Sequence, residues 1–416
     1  MGEDQVGKAS RKGSNADLRT KERLLNAALI EFTDIGYFLT NADAIAKRAG
    51  VGHGTFYLYF KSKNEALAEL LLRALDSMPY TAYRGDIKYL LRKVHDRSDL
   101  EAAILELFEP MQKSSGLLKA LVQSMLQDKD IFLLANEIQE TVTRVLSAII
   151  VALQKKGRHK GYDARILAEF ITICLLSSFL MLELGIVTGS LEALAHTLSG
   201  IISPVLFSAK QTKTPAEARP IIPENDAKIR RDILEAAKAE FIAHGYFDAK
   251  ITHITRKAGY SRGTFYLYYK DKEDLMESIF YDMMGRMNQG DNLTIDSINV
   301  LDISSLDALV GILTKIVNIF DAPINWSLTQ GFFYSPKLSR FYNDMFTLYS
   351  EPIVNKITAL QAKGHCRDID PQLAAPIVLA TVSYSAFLRG AQVISCTKRK
   401  YALTMAWFLY TFINHP

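Results

Sequence analysis

The stretch GYFLTNADAIAKRAGVGHGTFYLYFKSK, Gly36 to Lys63, returns as GYFDAKITHITRKAGYSRGTFYLYYKDK, Gly245 to Lys272, displaced by 209 residues with no gap. Roughly half of the positions from Leu24 to Lys63 are identical in the second copy. A chain that repeats a segment at this fidelity folds that segment twice. The repetition continues downstream: ALQKKG (Ala152 to Gly157) and ALQAKG (Ala359 to Gly364) match at a displacement of 207. Leu121 and Leu328, Gln123 and Gln330, Asn136 and Asn343, and Asp163 and Asp370 share that displacement. Both halves therefore repeat in full. At 416 residues the chain exceeds the size at which one core keeps growing, which agrees with a duplication. Between the halves, SAKQTKTPAEARPIIPEND carries Pro215, Pro220 and Pro223 among polar residues and reads as an extended linker.

Apolar residues recur at three and four positions, and no strand-length alternating runs with hairpin turns stand out, so the fold class is all-α. In the first copy Leu24, Leu25, Ala28 and Phe32 form one stripe that stops before Gly36. Thr40 is placed to cap a second helix, with Ala42, Ile45, Ala46 and Ala49 inward and Gly50 as its end. A third helix is predicted from His53 to Phe60, and Ser62 with Glu65 reads as a capping box opening a fourth. Helix, tight glycine turn, helix is an arrangement used to read DNA.

On the third helix Phe56 and Phe60 fall on one face and suit a core. The opposite side holds Gly54 and Leu58, flanked by His53 and Tyr57 on one edge and Thr55 and Tyr59 on the other. Tyrosine hydroxyls can bond phosphate oxygens, a glycine lets backbone approach base edges, and a leucine can touch thymine methyl groups. Glycine within a helix costs up to ~1 kcal/mol against alanine, and both copies carry it, at Gly54 and Gly263. The alternative is that Gly54 merely opens the helix and the tyrosines line a domain interface.

These residues resemble the TetR family of bacterial regulators, whose pattern runs GY, a threonine-capped helix ending in AG, then GTxYxxFxSK. Here it stands as Gly36, Tyr37, Thr40, Ile45, Ala46, Ala49, Gly50, Val51, Gly54, Thr55, Phe56, Tyr57, Phe60, Ser62 and Lys63. The second copy matches with Gly245, Tyr246, Ile254, Ala258, Gly259, Ser261, Gly263, Thr264, Phe265, Tyr266 and Lys272, departing at Ala249 and Tyr269. The resemblance implies two tandem units, each a three-helix reader followed by a larger helical domain that binds an effector and dimerises. It places Thr40, His53, Gly54, Thr55, Tyr57, Tyr59 and Lys63 at DNA, and with them Ser261, Arg262, Gly263, Thr264, Tyr266, Tyr268 and Lys272. Ala249, lacking the hydroxyl, is expected to weaken its helix start or shift a phosphate contact. Arg11, Lys12, Arg19 and Lys21 could add phosphate contacts or belong to a solvated arm. The resulting division is an arm at 1–16, readers at 17–62 and 226–271, regulatory domains at 63–208 and 272–416, and a linker at 209–225.

The net charge of +4 is compatible with a nucleic-acid partner without requiring one. Cys174, Cys366 and Cys396 are too scattered for a disulfide framework or a zinc site, and a reducing cytoplasm is the simplest compartment. No signal peptide is read in the polar N-terminus, and the uncharged run from Phe170 to Leu182 is short for a span and suits a buried helix, so no membrane partner is expected. No phosphate loop, HExxH or GxSxG occurs, so the chain is not read as an enzyme, and no catalytic residue, metal or cofactor is assigned.

The partners expected are double-stranded operator DNA and a small apolar or amphipathic effector. Phe108, Met125, Phe170, Trp326, Phe333 and Tyr334 are candidate effector contacts, with core packing as the competing role. The last two long helices of each half, 163–188 with 191–207 and 371–395 with 398–414, are expected to build a dimer interface, and a single chain could supply both sides as a pseudo-dimer. A homodimer of tandem chains is the other arrangement. Because Gly52 and His53 become Ser261 and Arg262, the half-sites should differ. The contrasting reading is an effector-binding or interaction protein whose readers no longer bind DNA.

Overall fold

The computed structural model describes residues 3–77, 94–125, 127–155, 162–207, 228–290, 303, 305–320, 323–390, 394 and 396–414, with the side chains of 3–16, 75–77, 284–290 and 390 left out. The linker expected at 209–225 lies outside the described residues. All regular structure among the described residues is helical. The first half contains α1 (Glu3–Asp34), α2 (Gly36–Leu39), α3 (Ala42–Arg48), α4 (His53–Tyr59), α5 (Lys63–Ser77), α6 (Arg97–Lys113), α7 (Ser115–Met125), α8 (Lys129–Lys155), α9 (Ala164–Glu183) and α10 (Leu191–Phe207). The second contains α11 (Lys228–Asp248), α12 (Ile251–Ala258), α13 (Arg262–Tyr268), α14 (Lys272–Gly290), α15 (Leu306–Phe320), α16 (Asn325–Tyr334), α17 (Pro336–Ala362), α18 (Pro371–Gly390) and α19 (Lys398–Ile413). Helix α1 begins within the segment expected to be an arm.

Two compact units form, and they do not coincide with the two sequence repeats. The first comprises 1–84 with 107–139, and the second 85–106 with 140–416. In the first unit Leu24, Leu25, Ala28 and Phe32 of α1 are buried against Ile45 and Ala46 of α3 and Phe56 and Phe60, and α7 closes the cluster through Leu117, Ala120 and Leu121. The second unit repeats this core with Ile233, Leu234, Ala237 and Phe241, then Ile254, Phe265 and Tyr269, closed by Ile324, Leu328 and Phe332.

The second unit extends further because α9 and α10 of the first half pack on α18 and α19 of the second. Apolar residues on nearly every side of α9 explain this: Ile166, Leu167, Phe170, Ile171, Cys174, Phe179 and Met181 are all buried. A helix that is apolar all round needs neighbours all round. Phe170 lies against Tyr401 and Phe408, with ring centroids 4.9 and 6.5 Å away. The 164–183 and 371–389 helices are long and apolar enough to cross a membrane, yet both are mostly buried within the protein.

Candidate nucleic-acid interface

After its first helix each reader makes a positive-φ turn that glycine best accommodates, Gly36 at φ 81° and Gly245 at φ 70°. The turn leaves the next amide pointing away from the helix, and a glutamine takes it: Tyr37 N–H donates to Gln123 Oε1 at 2.9 Å, and Tyr246 N–H to Gln330 Oε1 at 2.8 Å. The pairing of Gln123 with Gln330 in the repeat thus acquires a role, fixing reader to regulatory helix. The tyrosine rings are buried, and a lysine lies over each, Lys63 Nζ at 4.0 Å and Lys272 Nζ at 4.4 Å from the ring centres.

Those lysines also bond backbone. Lys63 Nζ donates to the carbonyls of Tyr37 and Thr40 at 2.7 and 2.8 Å, and Lys272 Nζ to that of Tyr246 at 2.6 Å. Burial pushes both ammonium groups below the usual lysine range. They satisfy backbone acceptors left by the short turn. Thr40 is corrected: its side chain is buried, and its hydroxyl donates to the Gly36 carbonyl at 2.8 Å. The cap of α3 is the next residue, Asn41, whose Oδ1 accepts from Ala44 N–H at 2.9 Å. Ala249 therefore removes no cap. At α12 the position after it is Lys250, whose N–H donates to the buried Glu240 carboxylate at 3.3 Å, while His253 Nδ1 lies 3.0 Å from the same oxygen.

The outer face of α4 carries His53, Gly54, Tyr57 and Leu58 exposed, Leu58 at 80%, with Thr55 and Tyr59 half-buried. Phe56 and Phe60 hold the helix down from the other side. His53 Nδ1 meets the Asp43 carboxylate, and the Tyr59 hydroxyl donates to Asp17. On α13, Ser261 caps the helix, its Oγ accepting from Thr264 N–H at 3.1 Å and lying 2.9 Å from the Thr264 hydroxyl. Arg262, Gly263, Tyr266, Leu267 and Tyr268 are exposed, Leu267 at 82%, and Arg262 Nη2 lies 3.4 Å from the Tyr266 hydroxyl. The geometry thus brings together His53, Gly54, Thr55, Tyr57 and Tyr59 on one helix face and Ser261, Arg262, Gly263, Thr264, Tyr266 and Tyr268 on its counterpart. Of the basic residues before the first reader, Lys21 is paired with Glu69 at 2.7 Å, Arg19 is exposed, and the side chains of Arg11 and Lys12 lie outside the described residues.

A short helix behind a turn of three or four residues, anchored by two aromatics and offering tyrosines outward, defines a helix-turn-helix protein that binds DNA. Comparison with known proteins narrows this. The model of "Bacterial regulatory proteins, tetR family" matches twice, at residues 24–70 and 233–279. The chain is 29% identical over 160 residues to the HTH-type transcriptional regulator YdgC of Bacillus subtilis (strain 168), covering 37% of this chain and 77% of that protein. It is 39% identical over 54 residues to the fatty acid metabolism regulator protein of the same organism, covering 13% of this chain and 28% of the relative. A solved structure of FadR from Bacillus subtilis in complex with stearoyl-CoA aligns over 46% of this chain at 20% identity, with a TM-score of 0.35. The DNA-binding domain of the TetR family of transcriptional regulators is thus present twice in this chain.

Each candidate effector residue has packing neighbours or burial of its own. Phe108 is buried, Phe170 is packed against Tyr401, Trp326 stacks on Phe387 at 5.9 Å, and Tyr334 lies 5.0 Å from Phe247 of the second reader. Met125 and Phe333 are partly buried. A groove of about 440 Å³ opens elsewhere, on α8 and the start of α9, lined by Arg144, Ser147, Ala148, Val151, Lys155 and Arg165, among others. Sequence reasoning searched for aromatics and passed over these cations, which look like an ordinary solvated helix face.

Proposed function

We propose that the two halves of one chain act as a pseudo-dimer that reads an imperfect palindrome and represses transcription until a small effector releases it. The observation that carries this reading is that two readers of one backbone design present unlike side chains, His53 after Gly52 in one and Arg262 after Ser261 in the other. Arginine makes bidentate contact with guanine and histidine does not, a difference of ~1 to 3 kcal/mol in base discrimination. The packing of α9 and α10 on α18 and α19 supports pairing of the halves, since two-fold DNA readers must hold their recognition helices in fixed register.

The effector is proposed to be amphipathic and anionic. The groove of about 440 Å³ sets apolar Ala148, Val151 and Ala152 beside Arg144 and Lys155, with Arg165 already paired to Glu140 and Glu169, a lining that takes an apolar body and a charged head. Its binding would shift the protein toward a spacing of readers that no longer fits the operator, with a coupling of ~1 to 3 kcal/mol. A cytoplasmic location follows from a function on DNA. Gel shifts on operators selected from genomic DNA test the reading: Tyr57→Ala and Tyr266→Ala should each abolish or strongly weaken binding. Unchanged binding by both variants would remove these tyrosine faces from the DNA interface, and failure of the unaltered chain to select any DNA would leave an effector-binding or interaction protein with silent readers.

A further inference from the structure

The displacement of 207 that relates Asp163 to Asp370 also relates the whole of 162–207 to 369–414, so contacts between the halves come in matched pairs. A residue that touches its own counterpart marks the pseudo-two-fold axis. Cys174 does so: its thiol lies beside the hydroxyl of Thr381, 207 positions on. Away from the axis the matched contacts are unlike. On one side Tyr162 stacks on Trp407, ring centroids 4.1 Å apart and planes at 27°. On the other, the counterparts are Ile369 and Gly200, and Gly200 has no room for a side chain: a Cβ there would sit 2.9 Å from Ile369 Cγ1 and 3.1 Å from Arg97 Nη2.

The polar contacts are equally one-sided. Asp163 accepts from Lys400 Nζ at 2.5 Å, whereas the counterparts of that pair are Asp370 and Ala193, which carries no cation. His196 bonds the carbonyl of Asp368 through Nε2 at 2.9 Å and the Glu101 carboxylate through Nδ1 at 3.0 Å, and its counterpart is Leu403.

We infer that these positions form a lock by which first-half helices accept only second-half helices, so that like halves of separate chains do not pair. A first-with-first pairing would set Tyr162 against Gly200 and Asp163 against Ala193, losing the stack and the cation together. A second-with-second pairing keeps Lys400 near Asp370 but brings Trp407 twice into the space that Ile369 shares with a glycine. The consequence is an operator complex in which the two half-sites always meet one reader of each kind, with no competing symmetric assemblies.

The inference rests on the pseudo-dimer reading, and paired cysteines in the full chain separate the two. In a Cys396→Ser background, Asp163→Cys with Lys400→Cys reports unlike pairing, Asp163→Cys with Ala193→Cys reports first-with-first, and Asp370→Cys with Lys400→Cys reports second-with-second. Within one half the last two pairs sit at opposite ends of antiparallel helices, about 30 Å apart for a 20-residue helix, beyond a short bismaleimide. Treatment with such a reagent should link residues 163 and 400, located by peptide mass, and give no double-mass product with either like-pair reporter. Adding Trp407→Gly to the second-with-second reporter should bring that double-mass product in, and its continued absence would remove Trp407 from the lock. Double-mass links at 163–193 or 370–400 without that change would overturn the lock while leaving the halves paired. No link in any of the three chains would overturn the pseudo-dimer reading itself.

Discussion

Lys63 and Lys272 show how a motif residue can be kept for its own turn. Each ends a left-handed glycine turn by donating to carbonyls that no helix satisfies, and each covers a tyrosine ring. A phosphate contact would contribute about 0.9 to the slope of log affinity against log salt. Lys63→Met is therefore expected to leave that slope unchanged in operator titrations and to lower the urea midpoint, the cost of unpaired carbonyls being ~1 to 3 kcal/mol. The tyrosine beneath supplies a pH test. Burial, with the Asp128 charge adding to it, pushes the Tyr37 hydroxyl up to about 12 from 10.0. Because the folded chain holds this proton after the unfolded chain has lost it, stability is fully present below pH 10 and falls as pH rises toward 12. Tyr37 alone should cost about 1.4 kcal/mol by pH 11, and Tyr37→Phe should lose correspondingly less between pH 8 and 11 in urea titrations. The sequence could not announce these roles, because a lysine that bonds backbone and one that bonds phosphate occupy the same motif position. Thr40 misled for a related reason: it and Asn41 are both good caps, and which one faces the helix depends on the turn that Gly36 sets.

At the scale of the recognition helix, pattern and packing agree. Phe56 and Phe60 at a spacing of four had to face inward, and the structure buries both. The tyrosine, glycine and leucine face followed from the same 3.6-residue arithmetic. What packing adds is the reason to question Gly54: a Cβ there would meet nothing within 4 Å. The free protein does not need that glycine, so its helical cost is offset by something approaching from outside. Gly54→Ala should raise the melting temperature, by an amount worth up to ~1 kcal/mol, while weakening operator binding. A gain in both properties would remove close approach to DNA as the reason for the glycine. Exchanging His53→Arg makes the first reader resemble the second, and base preference at the contacted position should move toward guanine by ~1 to 3 kcal/mol in half-site selection.

For the whole molecule, the repeat was legible at once and its assembly was not. Duplication shows in any self-comparison, and the apolar helices 164–183 and 371–390 announced a buried surface without saying what buries it. That depended on pairings such as Tyr162 with Trp407, which join residues remote in sequence and follow no periodic rule. The effector candidates were illegible for the same reason: aromatics fill cores and pockets alike, and sequence does not separate them. On the proposed pseudo-dimer, fusion of the halves would let each reader diverge while the partner stays fixed, which a homodimer of identical chains cannot do.

That claim meets its most direct test in the affinities of the purified chain for three duplexes: a natural operator chosen by genomic selection, and the two perfect palindromes made by doubling each of its half-sites. The natural site should bind best, with each palindrome weaker by about tenfold or more, a ratio that one misread base pair at ~1 to 3 kcal/mol supplies. Light scattering of the preferred complex should find one chain of 46.6 kDa per duplex. Equal affinity for all three duplexes would contradict the account of two unlike readers acting as one.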